Sequence, residues 1–480
     1  MKTDHDLKVG FTSRVHSLDG ETDAQRSHSK TAVILQNIII GLTVSFVALS
    51  LGAALGILSG RGAFSGMISA GLIAFFTACL GGTRVQCSGP TAPMSAVCAV
   101  VVAYAYEQFT VQGLAIQAPH FVNIVLILCG AIMLAMSLFR LGKFIALVPN
   151  VVISGFMSGI ALLIWIDQIN VVFGWGGKMA LMGPVVENVL IAIGTLVLIF
   201  IMAPITKRCV GPVAKFLPAT LLAILIMTGI SYFLHLSIEH VQLTGGFNSV
   251  NGLMTLIQEQ IPSTWSLSIL LLAFPFALQL ALLCYLDTLL TSLVVDKMSG
   301  EETGRNKELM AQGVANSVVA FVGGIPGAQA TIRSVLMLKE NATLRLSGIM
   351  VGLFVLVEMV LFQDWISLIP KAVFVGVLFK VGYDVFDFKP LRLYCKQVAT
   401  KRAAQFKDFF SRHDDEAVYV TNREMLMVIG TTIITVVFDL NIAVGGFTLL
   451  FYLHNKLFNR KNPMRDLAPD LETDGFAKQN

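Results

Sequence analysis

Asp287 is the single acidic or basic residue in the run from Leu267 to Val295. A carboxylate near the centre of a membrane helix costs at least about 2.5 kcal/mol on insertion scales, and such a cost implies a task. Thr291 follows one turn later on the same face, and Thr288 is adjacent. A helix over this stretch therefore presents a carboxylate together with a hydroxyl, the hard oxygen ligands that a small cation prefers. The alternative is a protonated Asp287 that ties two helices together by a hydrogen bond.

Two other stretches could do anion chemistry. Arg84-Val85-Gln86-Cys87-Ser88 precedes Gly89-Pro90, and Gly323-Gly324-Ile325-Pro326-Gly327 precedes Ala328 to Leu338. Irregular backbone of this kind survives at membrane depth only where it lines a cavity in the protein. Pro90 suits a first helical turn, with Thr91 supplying a hydroxyl beside the free amides. Two helix N-termini meeting head to head carry partial positive charge and unpaired N–H donors, which makes a site for an anion. Arg333, two residues past Thr331, either adds a fixed positive charge to that site or anchors its helix and pairs with Asp287. The plainer reading of both stretches is a pair of re-entrant loops that only pack.

These residues need apolar elements to hold them. Of the 480 residues 55% are hydrophobic and 13% charged, and the mean hydropathy is +0.74, more apolar side chain than one soluble core can bury. Windows of membrane-spanning length fall at 31–58, 64–81, 120–139, 151–173, 187–203, 216–234, 267–295, 307–323, 344–363, 366–383, 424–439 and 441–457. The stretches Ser88 to Ala103 and Ala328 to Leu338 are too short or interrupted to span. Counting them gives about fourteen segments, with the broken ones third and tenth. The expected fold is an all-α integral membrane protein, a 7+7 inverted repeat whose half-helices converge near the midplane.

The basic residues alternate between loops. Arg140, Lys143, Lys207, Arg208, Lys215, Lys297, Arg305, Lys307, Lys339, Arg345 and the 384–423 loop fall on one side, whereas the other holds little beyond Arg61 and Lys178. The positive-inside rule then puts both termini in the cytoplasm of a multi-pass protein of the plasma (inner) membrane. Residues 1–30 read as a cytoplasmic tail without a cleaved leader, 31–458 as the transmembrane unit and 459–480 as a second tail. A net charge of +4 argues for no nucleic-acid partner. The seven cysteines lack metal spacing and read as small buried hydrophobes. Glu358, near the outer end of its segment, reads as a snorkelling side chain, and Trp165 and Tyr383 as packing or interfacial residues. No Ser/His/Asp set, His-Glu-x-x-His or phosphate loop is present, so no enzyme and no cofactor is expected.

The stretches Ser88-Gly89-Pro90-Thr91, Val152 to Gly159, Glu308 to Asn316 and Gly323-Gly324-Ile325-Pro326 together resemble the sulfate permease (SulP) family of anion transporters, over roughly residues 34 to 455. Leu286 to Ser292 and Gly324 to Ala328 carry a nearer similarity, to the family's sodium-dependent bicarbonate branch from cyanobacteria. The resemblance implies a core domain that moves like an elevator against a gate domain, often in a homodimer. It implies sodium as the coupling ion at Asp287 and Thr291, helped by Gln329, Ala330 and Thr331. It implies bicarbonate or another small anion between the broken helices, at Thr91, Ala92, Ala330 and Thr331, with Ser88 and Arg333 included among the anion contacts.

The sequence departs from the family pattern at Ser50, usually Pro, at Leu55, usually aromatic, and at Gln329, usually Gly or Ser. Most members carry a regulatory STAS domain after the transmembrane unit, whereas a short polar tail follows Leu457 here, so either this member lacks the domain or the chain has been shortened. The leading expectation is sodium-coupled bicarbonate symport across a lipid membrane. The alternatives are proton-coupled transport of sulfate, a dicarboxylate or chloride on the same fold, and a non-transporting scaffold or sensor.

Overall fold

The computed structural model describes residues 23–111, 117–143, 148–176, 180–209, 219–241, 250–262, 265–399, 420, 422–438, 440–458 and 464. Its helices are α1 (Asp23–Leu58), α2 (Ala63–Leu80), α3 (Ala92–Val111), α4 (Gln117–Leu138), α5 (Asn150–Phe173), α6 (Val185–Cys209), α7 (Ala219–Phe233), α8 (Val250–Gln260), α9 (Leu267–Ser299), α10 (Arg305–Ala320), α11 (Thr331–Lys339), α12 (Arg345–Leu361), α13 (Gln363–Ser367), α14 (Lys371–Val385), α15 (Phe388–Ala399), α16 (Asn422–Val437) and α17 (Leu440–Leu453). Two short strands, β1 (Ser88–Pro90) and β2 (Gly327–Gln329), complete the set. Among the described residues six helices are long and apolar enough to cross a membrane, within α1, α2, α4, α5, α6 and α9.

Helix packing divides into two groups. Helices α1, α2, α4, α10 and α12 pack on one another, and α9 joins them through α4 and carries α11 and β2. In the second group α5 packs on α14 and α16, α14 on α6, α6 on α7, and α16 on α17. The groups meet where α3 touches α5, α14 touches α1 and α17 touches α9. Small residues set the closest approaches, as expected where dispersion rather than water drives helix association. A Cβ on Gly66 of α2 falls 2.7 Å from the Cα of Gly56 on α1, so any larger residue forces these helices apart.

The strands are the only sheet among the described residues, and they place the site. They pair antiparallel with Ser88 opposite Gln329, Gly89 opposite Ala328 and Pro90 opposite Gly327. Each strand feeds a helix: α3 begins at Ala92 and α11 at Thr331. Because the strands are antiparallel, the helices leave the ladder in opposite directions with both N-termini turned toward it.

Several expectations change. The third segment is not a half-helix: α3 has 20 residues, about 30 Å. Its extension carries Tyr104 and Phe109, whose rings lie 6.0 and 5.4 Å from that of Phe121 on α4. The tenth segment is short as expected, with nine residues in α11. Pro90 ends β1 instead of opening a helix, and Pro93 takes the first-turn position. The 366–383 window is interrupted at Pro370, which caps α14. Helix α1 begins at Asp23, inside the expected N-terminal tail, and the expected 384–423 loop contains α15.

Other single residues also resolve. Glu358 does not snorkel: it is 4% exposed and accepts a 2.5 Å hydrogen bond from Ser45 Oγ on α1, because α12 packs that face on α1 rather than on lipid. Trp165 donates to the Phe379 carbonyl at 3.0 Å and stacks on Phe386, and Tyr383 meets Phe200 edge-on, both as packing residues. Cys87, Cys98, Cys129 and Cys284 are buried as expected, whereas Cys79 and Cys395 are exposed. Residues 1–22, 400–419 and 465–480 of the expected tails and loop lie outside the described residues.

Candidate anion and cation site

The ladder is clamped by one face of α10. Glu308, Gln312 and Asn316 recur every four residues and so stack along that face. Asn316 grips Gly327 from both sides, its Nδ2 donating to the Gly327 carbonyl at 3.0 Å and its Oδ1 accepting from the Gly327 N–H at 2.8 Å. Gln312 Nε2 donates to Ser88 Oγ at 2.8 Å, and Ser88 donates in turn to Gln86 Oε1 at 3.0 Å. The Glu308 carboxylate accepts from the backbone N–H groups of Gly82 and Thr83 at 2.9 and 3.0 Å. Buried polar groups are stable only when partnered in this way. The sequence signal was present in the i, i+4, i+8 spacing of the Glu308 to Asn316 stretch, but nothing in the sequence indicated what that face would grip.

The Ser88 hydroxyl, expected among the anion contacts, is thereby engaged within the protein. Ser88 is fully buried, and its hydroxyl both donates and accepts within the Gln86–Gln312 network. Successive strand residues face opposite sides, so Gly89, not Ser88, lies against Arg333. A Cβ at Gly89 would sit 2.9 Å from Arg333 Nη1, which is why this position has no side chain.

Arg333 is 2% exposed and donates from Nη2 to the Pro90 carbonyl at 3.0 Å. Its position on α11 thus ties that helix to the end of β1. No salt bridge joins it to Asp287 among the described residues, and its Nη1 has no hydrogen-bond partner. Thr91, the residue before α3, gives its carbonyl to Ser95 N–H at 2.9 Å, and Ala92 is buried beside it. Ala330 caps α11, its N–H donating to the Cys87 carbonyl at 3.1 Å.

Helix α9 brings further side-chain oxygens to the ladder. The hydroxyl oxygens of Thr291 and Thr331 lie 2.6 Å apart. Ser292 donates to Gln329 Oε1 at 2.8 Å, and the Gln329 N–H reaches Thr288 Oγ1 at 3.4 Å. The oxygen of the Gln329 amide is thus occupied within the protein, and its nitrogen end remains. Ser50 and Leu55 do not reshape this cluster by hydrogen bonding: Ser50 Oγ turns back on the Phe46 and Val47 carbonyls of its own helix at 3.0 and 3.1 Å, and Leu55 is buried in the core.

Among the expected binding residues, four buried polar atoms lack a hydrogen-bond partner: Asp287 Oδ2, Thr91 Oγ1, Gln329 Nε2 and Arg333 Nη1. Leaving such atoms unmade costs about 1–3 kcal/mol each. They comprise an acceptor of the kind a cation uses and donors of the kind an anion uses. These are the group types that would hold a small cation and a small anion.

Comparison with known proteins identifies the family and the fold. Residues 34–404 match the Sulfate permease family. The chain is 30% identical over 421 residues to the bicarbonate transporter BicA of a Picosynechococcus species, covering 84% of this chain and 67% of that protein. It is 27% identical over 435 residues to the putative sulfate transporter YvdB of Bacillus subtilis, covering 87% of this chain and 73% of that one. The chain thus spans about two thirds of the length of the BicA relatives it matches. Among solved structures, the transmembrane domain of a cyanobacterial BicA superposes with a TM-score of 0.70 at 28% identity, covering 86% of this chain and 98% of that one. The structure of SLC26A9 has a TM-score of 0.68 at 16% identity, covering 88% and 65%, and shares the fold. With a helical ladder site of this form and a family match over most of its length, the chain belongs to the sulfate permease family.

Proposed function

We propose that the chain is a sodium-coupled bicarbonate symporter. The observation that carries this reading is the set of buried, unpartnered atoms Asp287 Oδ2, Thr91 Oγ1, Gln329 Nε2 and Arg333 Nη1, with the Thr291–Thr331 hydroxyl pair one turn further along α9. Sodium is held by the Asp287 carboxylate, Thr291, Thr331 and the Ala330 backbone. Bicarbonate is held between the N-termini of α3 and α11, by the amides near Ala92 and Thr331, the Thr91 hydroxyl and the Arg333 guanidinium. Gln329 contributes to the anion side, since Ser292 already occupies its oxygen.

The coupling follows from charge. Without sodium the Asp287 carboxylate repels an anion, and with sodium that charge is neutralised, so each ligand raises the affinity for the other by the same factor. One sodium and one bicarbonate sum to zero charge, so the membrane potential does little work. Each tenfold sodium gradient then supplies about 1.4 kcal/mol. The helix group that carries the ladder is the moving core, and the group of α5, α6, α7, α14, α16 and α17 is the gate against which it slides. Both termini face the cytoplasm of the plasma (inner) membrane, and the assembly is a homodimer.

Labelled bicarbonate uptake into proteoliposomes, with and without an inward sodium gradient, tests the reading. Sodium-driven uptake that is lost in Asp287→Asn supports it. Uptake of sulfate or another anion driven by a pH gradient and indifferent to sodium replaces it with proton-coupled transport on the same fold.

A further inference from the structure

Helix α15 has 12 residues and belongs to neither the ladder nor a membrane-spanning helix. Lys389, Arg392 and Lys396 recur at i, i+3 and i+7, which places them on one face of the helix. Leu391, Tyr394 and Val398 recur at the same spacing on the opposite face. A helix of this length cannot cross a bilayer, and its division into a basic and an apolar face is that of a helix lying in the plane of a membrane surface. The charge continues along the chain: from Phe388 to Lys407 there are six basic residues and no acidic one.

The aromatic residues at the start of α15 set its depth. The Phe388 ring lies 5.0 Å from that of Tyr383 and 4.5 Å from that of Phe386, and Phe386 stacks on Trp165 at 5.8 Å. Besides packing on one another, these rings stand where the apolar run of α14 ends, and Tyr383 is 46% exposed. Trp and Tyr gather at the level of the lipid headgroups, so a helix that starts within this group starts at the bilayer surface.

One side of α15 is held by the protein. Leu393 and Tyr394 pack against a buried cluster that contains Val151 of α5 and Met425 and Val428 of α16. The rest of the described surface of α15 is open, with Leu391, Arg392 and Cys395 exposed. The nearby carboxylates do not reverse its charge. Asp384 pairs with Lys380, Asp387 accepts from the Lys389 N–H at 3.1 Å at the start of the helix, and Glu424 on α16 is buried. With Lys380, Asp384 and Asp387 included, residues 380–407 hold seven basic and two acidic side chains.

We propose that α15 is a lipid-binding surface helix, whose basic face of Lys389, Arg392 and Lys396 takes the phosphate headgroups of anionic phospholipids. Charge and depth together select this partner: a row of cations at headgroup level meets a surface of the opposite sign, as juxtamembrane clusters of basic residues do. Leu391, on the apolar face, enters the boundary with the acyl chains. Because α15 joins α14 to α16, bound headgroups tie that helix group to the membrane surface.

The full chain, reconstituted in phosphatidylcholine vesicles with a trace of spin-labelled phosphatidylglycerol or spin-labelled phosphatidylcholine, tests this. The fraction of each label immobilised by the protein gives the preference between the two lipids. A preference for phosphatidylglycerol is expected, falling by up to about fivefold in Arg392→Gln, the share of one basic residue near a charged surface. It should fall further in the triple variant Lys389→Gln, Arg392→Gln, Lys396→Gln, and return when the three positions are exchanged as Lys389→Arg, Arg392→Lys, Lys396→Arg. Arg392 is exposed, so the single variant gives a readout if the triple variant does not fold. Equal immobilisation of both lipids by the unaltered chain overturns the proposal. A preference unchanged in the glutamine variants assigns the lipid to other basic loops and leaves this face to a different partner, which also overturns it. So does a preference that persists in about 1 M salt, where charge attraction is screened within about 3 Å. None of these readouts involves sodium or bicarbonate uptake, so they stand apart from the test of symport.

Discussion

The hydroxyl oxygens of Thr291 and Thr331 lie 2.6 Å apart, joining the helix that carries Asp287 to the first turn of the helix that opens from β2. One of the two must donate to the other, and each retains lone pairs for a cation. In Thr291→Val and in Thr331→Val the shape is kept and the oxygen is lost. The sodium concentration for half-maximal uptake is expected to rise about tenfold, equivalent to about 1.4 kcal/mol, with a smaller change in the maximal rate. Uptake at graded sodium concentrations measures it, and an unchanged sodium dependence in both variants removes these hydroxyls from the cation site.

Gln329 is fully buried, with Oε1 held by Ser292 and Nε2 without a partner. If that nitrogen serves the anion, Gln329→Leu raises the bicarbonate KM about tenfold, the loss of one hydrogen bond to a charged group. Gln329→Glu places a carboxylate near the anion and Asp287, so it is expected to abolish bicarbonate uptake while the protein remains folded. Initial rates over a bicarbonate series distinguish these results from a sodium-side effect, which shifts the sodium dependence instead.

How much of this was readable beforehand depends on the range of the interaction. Asp287 stands out because one charge in a long apolar run is a local signal, and Gly89-Pro90 and Gly323 to Gly327 stand out because they break that run. The pairing of Ser88 with Gln329 joins strands far apart in the chain and leaves no local trace beyond two short irregular segments. The Ser88 to Ala103 window stops short of the end of α3 at Val111, because the contacts of Tyr104 and Phe109 with Phe121 on α4 leave no signal in the local sequence. Glu358 gives a related case: its polarity is a local signal, whereas Ser45, its partner, is 313 residues away.

Asn316 makes both hydrogen bonds to the Gly327 backbone. In Asn316→Leu the Gly327 N–H loses its side-chain acceptor inside the protein, at about 1–3 kcal/mol for the buried group. Thermal unfolding in detergent is expected to shift downward, and transport to fall with it. Asn316→Asp keeps an acceptor for the Gly327 N–H but sets an oxygen against the Gly327 carbonyl, so it should lose about as much. Stability unchanged in both variants would mean that the ladder is held by its own backbone pairing and by Gln312.

Glu358 joins α12 to α1 through Ser45 Oγ, and its Oε2 has no partner. Both helices belong to the group that carries the ladder, so under the proposed elevator motion this contact would be internal to the moving group and would not be broken. Glu358→Gln retains an oxygen acceptor for Ser45 and is expected to keep both stability and sodium-driven uptake. Glu358→Ala leaves Ser45 without its partner and opens a void at the α1–α12 contact, so it should lower the unfolding temperature at a cost of about 1–3 kcal/mol. If instead Glu358→Gln folds normally but uptake loses its dependence on a pH gradient, the carboxyl of Glu358 exchanges a proton during transport, and the driving ion is not sodium alone.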